Sequence, residues 1–251
     1  MRAGHVVAVG RRVLLQIRRD PRFIGLSLLV PCAIVVLLKL VLDAWPALDR
    51  IGVDAGANAL PAGAFVVHFV AYVLAAIALV RERTGGTLDR MLVATFRRGE
   101  IVLGYVVGFA TLAAVQAGLV IVTIALLYDV PRLWARLPIV LAVVFLLAIA
   151  SIALGLLVSS TARSEGQIFP FIPLVIVPSL LLSGLLIPFA ELSWPLQALA
   201  RLVPLTYAED VLVPVFRDGS PAADRLPYLA LLAAYAAALL AVASLTLRER
   251  E

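Results

Sequence analysis

The sequence predicts an all-α integral membrane protein with six transmembrane helices, and three observations lead there. Of its 251 residues, 63% are hydrophobic and 15% charged, with a mean hydropathy of +1.06; a soluble domain holds about half apolar and a quarter charged residues. The apolar residues gather in six runs, 23–42, 61–80, 101–128, 137–160, 168–189 and 228–247, each close to the ~20 residues that cross a bilayer as a helix. None of these runs contains an acidic residue, and the one base within them, Lys39, lies near enough to an end to reach the headgroups. Strands of a membrane barrel alternate in polarity over short segments, whereas these runs are apolar all round. Lipid offers the backbone no partner, so helices are predicted.

Arginine placement orients the bundle. With the N-terminus taken as cytoplasmic and sides alternating after each run, fourteen arginines share one side. They are Arg2, Arg11, Arg12, Arg18, Arg19 and Arg22 before the first run, Arg81, Arg83, Arg90, Arg97 and Arg98 between the second and third, then Arg163, Arg248 and Arg250. Six fall on the other, Arg50, Arg132, Arg136, Arg201, Arg217 and Arg225, among a larger number of Asp and Glu. The positive-inside rule therefore predicts a multi-pass protein of the cell (inner or plasma) membrane with both termini cytoplasmic. The chain reads as one transmembrane domain over 1–251, and the long basic stretch before residue 23 argues against a cleaved signal peptide. A net charge of +5 and a pI near 9.9 do not indicate nucleic acid, because the bases lie between apolar runs and suit anionic headgroups. The single cysteine, Cys32, excludes an intrachain disulfide and reads as a small core residue.

The elements follow in order. Residues 6–17 interleave Val6, Val7, Val13, Leu14 and Ile17 with Arg11, Arg12 and Gln16, which predicts an amphipathic helix at headgroup level ending near Pro21; a disordered basic tail is the other reading. Between the second and third runs, Gly85 and Gly86 allow a turn, Thr87 can cap a short helix, and Asp89 sits in its first turn, where the dipole favours negative charge. Leu88, Met91, Leu92 and Thr95 form one face and Asp89, Arg90 and Arg97 the other, so either an amphipathic helix is displayed to the cytosol or the stretch is an ordinary solvated loop. Gly104 and Gly108, and again Ser151 and Gly155, place small residues four apart, the spacing of close helix packing. His68, Gln116 and Ser151 read as interhelical hydrogen bonders before substrate contacts.

Pro170, Pro173 and Pro178 predict a broken fifth span facing the bundle interior, where freed carbonyls find partners. Beyond Pro188, Ser193 is a candidate cap and Trp194 an interfacial anchor, while Leu196, Leu199, Leu202 and Val203 form an apolar set bounded by Pro204. A short helix at or in the outer leaflet is predicted.

Two stretches carry a resemblance. Arg81-Glu82-Arg83, then Gly86-Thr87-Leu88-Asp89-Arg90-Met91-Leu92-Val93, then Arg98-Gly99-Glu100 before a span, resemble the membrane subunit of type-2 ABC exporters, of the multidrug and daunorubicin-resistance kind. The segment from Pro178 through Ser183, Gly184 and Pro188 to Trp194, followed by Pro204, Thr206 and Tyr207, resembles that family's second signature region. Thr95 stands where many members have proline, and Asp89 where glutamate is commoner. The resemblance implies that residues 86–98 are a coupling helix docking on an ATPase subunit. Glu82 and Arg83 at its membrane end would then transmit motion or serve as solvated interface charges. It also implies that the second region is a re-entrant helical hairpin closing the pathway outward, and that two copies of the chain bind two copies of the ATPase.

What the sequence lacks narrows the function. A P-loop needs a lysine after its glycines, and the only lysine is Lys39, so the chain is expected to be no enzyme and to hold no cofactor, ATP being bound by the partner. No His-Glu-x-x-His stretch occurs, His5 and His68 lack the acidic neighbours of a zinc site, and no Ser/His/Asp set stands out. With few intramembrane charges, the expected cargo is hydrophobic or amphipathic: a drug, polyketide or lipid. An exporter of polysaccharide or lipid-linked glycan is the alternative within the family. Outside it stand an ATP-independent channel or secondary carrier, which more often shows intramembrane Asp or Glu, and a membrane anchor for a cytosolic protein.

Overall fold

Backbone groups surrounded by lipid must bond within their own segment, and the described residues fold into helices with no strand among them. The computed structural model describes residues 2–45, 55–94, 96–130, 132–162 and 164–246, less the side chains of Arg83 and Asp89. Thr95, Arg163, Arg50, Leu247, Arg248 and Arg250 lie outside the described residues, and so does any test of their readings.

Helix α1 (Ala3–Arg19) precedes the first crossing, α2 (Pro21–Ala44). Asp20 divides them, its carboxylate accepting from the Phe23 N–H at 2.9 Å, and Pro21 takes the first helical position of α2, where its missing N–H costs nothing. The second crossing is α3 (Ala55–Thr84), followed by the short α4 (Thr87–Val93). Next come α5 (Arg98–Leu127) and α6 (Leu133–Thr161), an antiparallel pair. A 3-10 turn, Glu165–Gln167, leads into the fifth crossing, α7 (Phe171–Leu182). Two shorter helices, α8 (Trp194–Ala200) and α9 (Pro204–Phe216), precede the last crossing, α10 (Leu226–Thr246). Six of these helices, with their flanking turns, are long and apolar enough to cross a membrane.

Small residues decide which helices touch. A Cβ on Gly155 of α6 would come within 2.5 Å of the Tyr72 carbonyl oxygen of α3, so glycine lets these two backbones meet. Around that contact Ala75, Ala76, Ala150 and Ile152 are fully buried, and α3 and α6 form the centre of the bundle. His68 ties the centre to a third helix: its Nδ1 lies 2.7 Å from Ser151 Oγ of α6 and its Nε2 3.1 Å from Ser179 Oγ of α7. Gln116 departs from its expected interhelical bond, since its buried Nε2 donates to nothing among the described residues.

The fifth crossing differs from expectation in two ways. It ends at Leu182 rather than near 189, because Ser183 closes the helix and Gly184, at φ +98°, turns the chain. Of its three prolines only Pro178 is interior, as Pro170 is the N-cap and Pro173 falls in the first turn, where backbone donors have no intrahelical acceptor. Nor is the helix turned inward: Ser179 and Leu182 are buried while Leu174, Val177 and Leu181 are exposed. Helices α2 and α10 likewise leave most of their apolar surface uncovered, the pattern of helices that meet lipid or another membrane chain.

Candidate functional site: the α4 platform and the α8–α9 corner

The loop between the second and third crossings is built on Gly86, which occupies the N-cap of α4 at φ +67°, a conformation L side chains rarely adopt. Thr87 is therefore the first helical residue rather than the cap. Helix α4 has seven residues, shorter than the 86–98 stretch read from sequence, and its apolar face points into the protein. Leu88 and Met91 join the main core at 1% and 8% exposure, with Leu92 half-buried. What the helix displays to solvent is Val93, 86% exposed, beside exposed Arg90 and Ala94, with Arg97 and Arg98 exposed just beyond.

Two carboxylates brace this platform, and both reach α1. Glu82, near the end of α3, accepts from Arg12 Nη2 at 2.5 Å and from Gln16 Nε2 at 2.8 Å, while Arg12 Nη1 reaches Met91 Sδ of α4 at 3.3 Å. One guanidinium thus spans from the end of α3 to the underside of α4. Glu100, in the first turn of α5, accepts from the backbone N–H of Arg97 at 3.0 Å and of Arg2 at 2.6 Å, and its other contact is His5 Nδ1 at 2.8 Å. His5 in turn lies over Phe96, ring centroids 4.4 Å apart. At the edge, exposed Arg81 pairs with Glu165 at 3.0 Å, linking α3 to the turn before α7.

The glycines of α5 explain why α1 can come so close. A Cβ on Gly104 would stand 2.6 Å from Val9 Cγ1, and one on Gly108 2.5 Å from Val13 Cγ1. Gly104 and Gly108 form a groove that seats the two buried valines of α1. The apolar stripe of α1 is therefore divided, with Val9 and Val13 in this groove and Val7 and Leu15 exposed. Sequence reasoning named Glu82 but not Arg12, Gln16, His5 or Glu100 as part of this site. One signal was present: Glu100 stands three residues after Arg97, the spacing at which a side chain folds back on its helix N-cap.

At the opposite end of the bundle, Ser183 and Gly184 open an irregular stretch that runs past Pro188 to the 3-10 turn Phe189–Glu191. Ser193 holds the N-cap position of α8 without a side-chain capping bond, so the expected cap is not made. Trp194 is 81% exposed, and Leu196, Leu199 and Leu202 are exposed beside it. Pro204 opens α9, whose Leu205, Ala208, Val211, Leu212 and Val215 are fully buried. Thr206 Oγ1 donates to the Ala200 carbonyl at 2.7 Å and Tyr207 Oη to the Arg201 carbonyl at 3.0 Å, fixing the corner between α8 and α9. Arg201 adds to this by pairing with Asp210 and lying over the Phe189 ring at 4.2 Å. Among the described residues, no cluster of three or more His, Cys, Asp or Glu could hold a metal ion.

Six crossings, a braced short helix at the arginine-rich end and a fixed corner between two shorter helices at the other define a multi-pass, all-α membrane protein. The chain matches the family model for the ABC-2 type transporter over residues 4–216 and belongs to that family. It is similar to the linearmycin resistance permease protein LnrN of Bacillus subtilis (strain 168), 26% identical over 188 residues, covering 74% of this chain and 48% of the relative. It is similar also to Nodulation protein J of Rhizobium leguminosarum bv. trifolii, 35% identical over 150 residues, covering 59% of this chain and 56% of the relative. A probable multidrug ABC transporter permease, YbhR of Escherichia coli (strain K12), is 26% identical over 149 residues, 59% of this chain and 40% of the relative. The chain thus spans about half the length of these relatives.

Proposed function

We propose that this chain is the membrane subunit of an ATP-driven exporter in the cell membrane, moving a hydrophobic or amphipathic molecule and docking a separate ABC ATPase through α4. Family membership supports the class, and one observation carries the docking assignment: α4 buries Leu88 and Met91 yet leaves Val93 bare at the arginine-rich end. A solvated loop has no reason to spend its apolar residues this way, whereas a lone apolar side chain ringed by arginines suits a shallow groove on a partner. By the positive-inside rule that end is cytoplasmic, where ATP is available.

In this reading two copies of the chain pair across the membrane and two ATPase subunits bind beneath, one at each α4. ATP-driven closure of the ATPases draws the α4 helices together. The Arg12, Glu82 and Met91 contacts pass that displacement to α1 and α3, because a helix end held by a partly buried ion pair moves with its neighbour rather than sliding past it. The segment from α7 through α8 to the start of α9, with Pro178, Ser183, Gly184, Pro188, Trp194, Pro204, Thr206 and Tyr207 along it, closes the outer end until the bundle shifts. The names of two relatives, a linearmycin resistance permease and a probable multidrug permease, favour an amphipathic organic cargo.

Val93→Asp tests this. It replaces an exposed residue, so the chain is expected to fold and insert normally while losing co-purification of the ATPase by at least tenfold, together with ATP-dependent export. Undiminished co-purification and export in Val93→Asp would remove α4 as the docking element.

A further inference from the structure

We infer that the cavity between α2, α3 and α7, at the end opposite α4, is a binding site for an amphipathic acid whose anionic headgroup sits on Arg217 and whose apolar body lies along Val35, Leu38, Phe65 and Leu180. Calling that acid a cargo rests on the export reading; the site itself does not.

The cavity measures about 630 Å³ and is walled almost wholly by apolar side chains, within the size range of sites that enclose small organic ligands. Among the described residues lining it, Arg217 is the one with a charge, and Asn58 the only other with a polar side chain. Arg217 ends α9 and turns into this space. Its Nε donates to Asn58 Oδ1 at 2.7 Å, and its Nη2 to the same oxygen and to the Leu185 carbonyl at 2.9 Å. All its acceptors are neutral. No carboxylate among the described residues pairs with it, whereas Arg201, on the same outer segment, has Asp210. The acid two turns back on α9, Glu209, feels the charge of Arg217 but buries both oxygens without a hydrogen bond to it, so it leaves the guanidinium's donors free of any carboxylate.

A guanidinium half-buried beside apolar walls with no carboxylate hydrogen-bonded to it draws an anion, since its charge is only partly solvated. Five N–H donors in a planar fork favour a carboxylate or phosphate over a compact ion, and the apolar walls favour one with a long hydrocarbon body. Asn58 holds the guanidinium in place, so the fork is oriented before the ligand arrives.

The test uses the full chain in detergent micelles with cis-parinaric acid, a fluorescent fatty acid, and its methyl ester. The acid is expected to bind at least tenfold more tightly than the ester. Arg217→Gln should reduce that preference to below twofold, Arg217→Lys should keep most of it, and Ala62→Trp, which fills the cavity, should weaken both ligands. Equal affinities in the native chain overturn the proposal without recourse to any variant. A bilayer phospholipid shares this headgroup chemistry, so competition separates the sources. Displacement by dodecanoate but not by an equal concentration of phosphatidylglycerol supports a free acid, and displacement by phosphatidylglycerol overturns it. Val93→Asp should bind the acid as the native chain does, so a failure of ATPase docking and a failure of this site are told apart.

Discussion

Single residues set much of the packing of this protein, and four of them give sharp expectations. Gly104→Val drives a branched side chain into Val9 and the Val6 carbonyl, so α1 must lift; the cost is about 1–3 kcal/mol, as for other overpacked interfaces, read as a lower melting temperature in detergent. Gly86 meets open space, and only its positive φ restricts it. Gly86→Asn is therefore expected to be tolerated, while Gly86→Val costs about 1–2 kcal/mol from the left-handed backbone, measured in the same assay. Glu82→Ala leaves Arg12 and Gln16 without their acceptor and is expected to cost about 1–3 kcal/mol; an unchanged melting temperature would show that the pair is ornamental. Glu209→Gln, by contrast, replaces a buried carboxyl that accepts no hydrogen bond and whose pKa burial pushes up to about 8; already largely protonated at neutral pH, it should be exchanged for the neutral amide with little change in stability there.

At the scale of elements, His68 is the pin joining α3, α6 and α7, and His68→Leu should loosen α7 by about 1–2 kcal/mol, since interhelical bonds in membranes are each worth about 0.6–2 kcal/mol. Faster hydrogen exchange confined to 171–182 would report it. The six crossings were legible because a bilayer demands long apolar runs, and the packing role of Gly104, Gly108 and Gly155 was legible from spacing alone. Other features were not. Helix α9 was missed because its thirteen residues fall short of a crossing, although apolar positions 205, 208, 211, 212 and 215 recur at helical spacing. The inward turn of Leu88 and Met91 was misread because amphipathicity shows that a face is apolar, not whether protein or partner covers it. For α7, prolines suggested enclosure, yet two of the three sit at the helix start, where they break nothing.

At the scale of the whole molecule, the packed pair α3 and α6 connects the α4 platform at one end of the bundle to the α8–α9 corner at the other. Both ends are braced by side chains from elements far apart in sequence: Arg12 to Glu82 at one, Arg217 to Asn58 at the other. Of the candidate site, Glu82 and the loop glycines were readable, whereas α1's part was not, because no local pattern announces that Arg12 faces Glu82 across seventy residues. Every functional assignment depends on α4 and α8 lying on opposite sides of the membrane. Cys32 is the single native cysteine, so a Cys32→Ser background allows one reporter at a time. The decisive measurement is labelling of Val93→Cys and Trp194→Cys by a membrane-impermeant maleimide in intact cells. The account predicts that position 194 reacts at once and position 93 only after permeabilisation; reaction of position 93 in intact cells would contradict it.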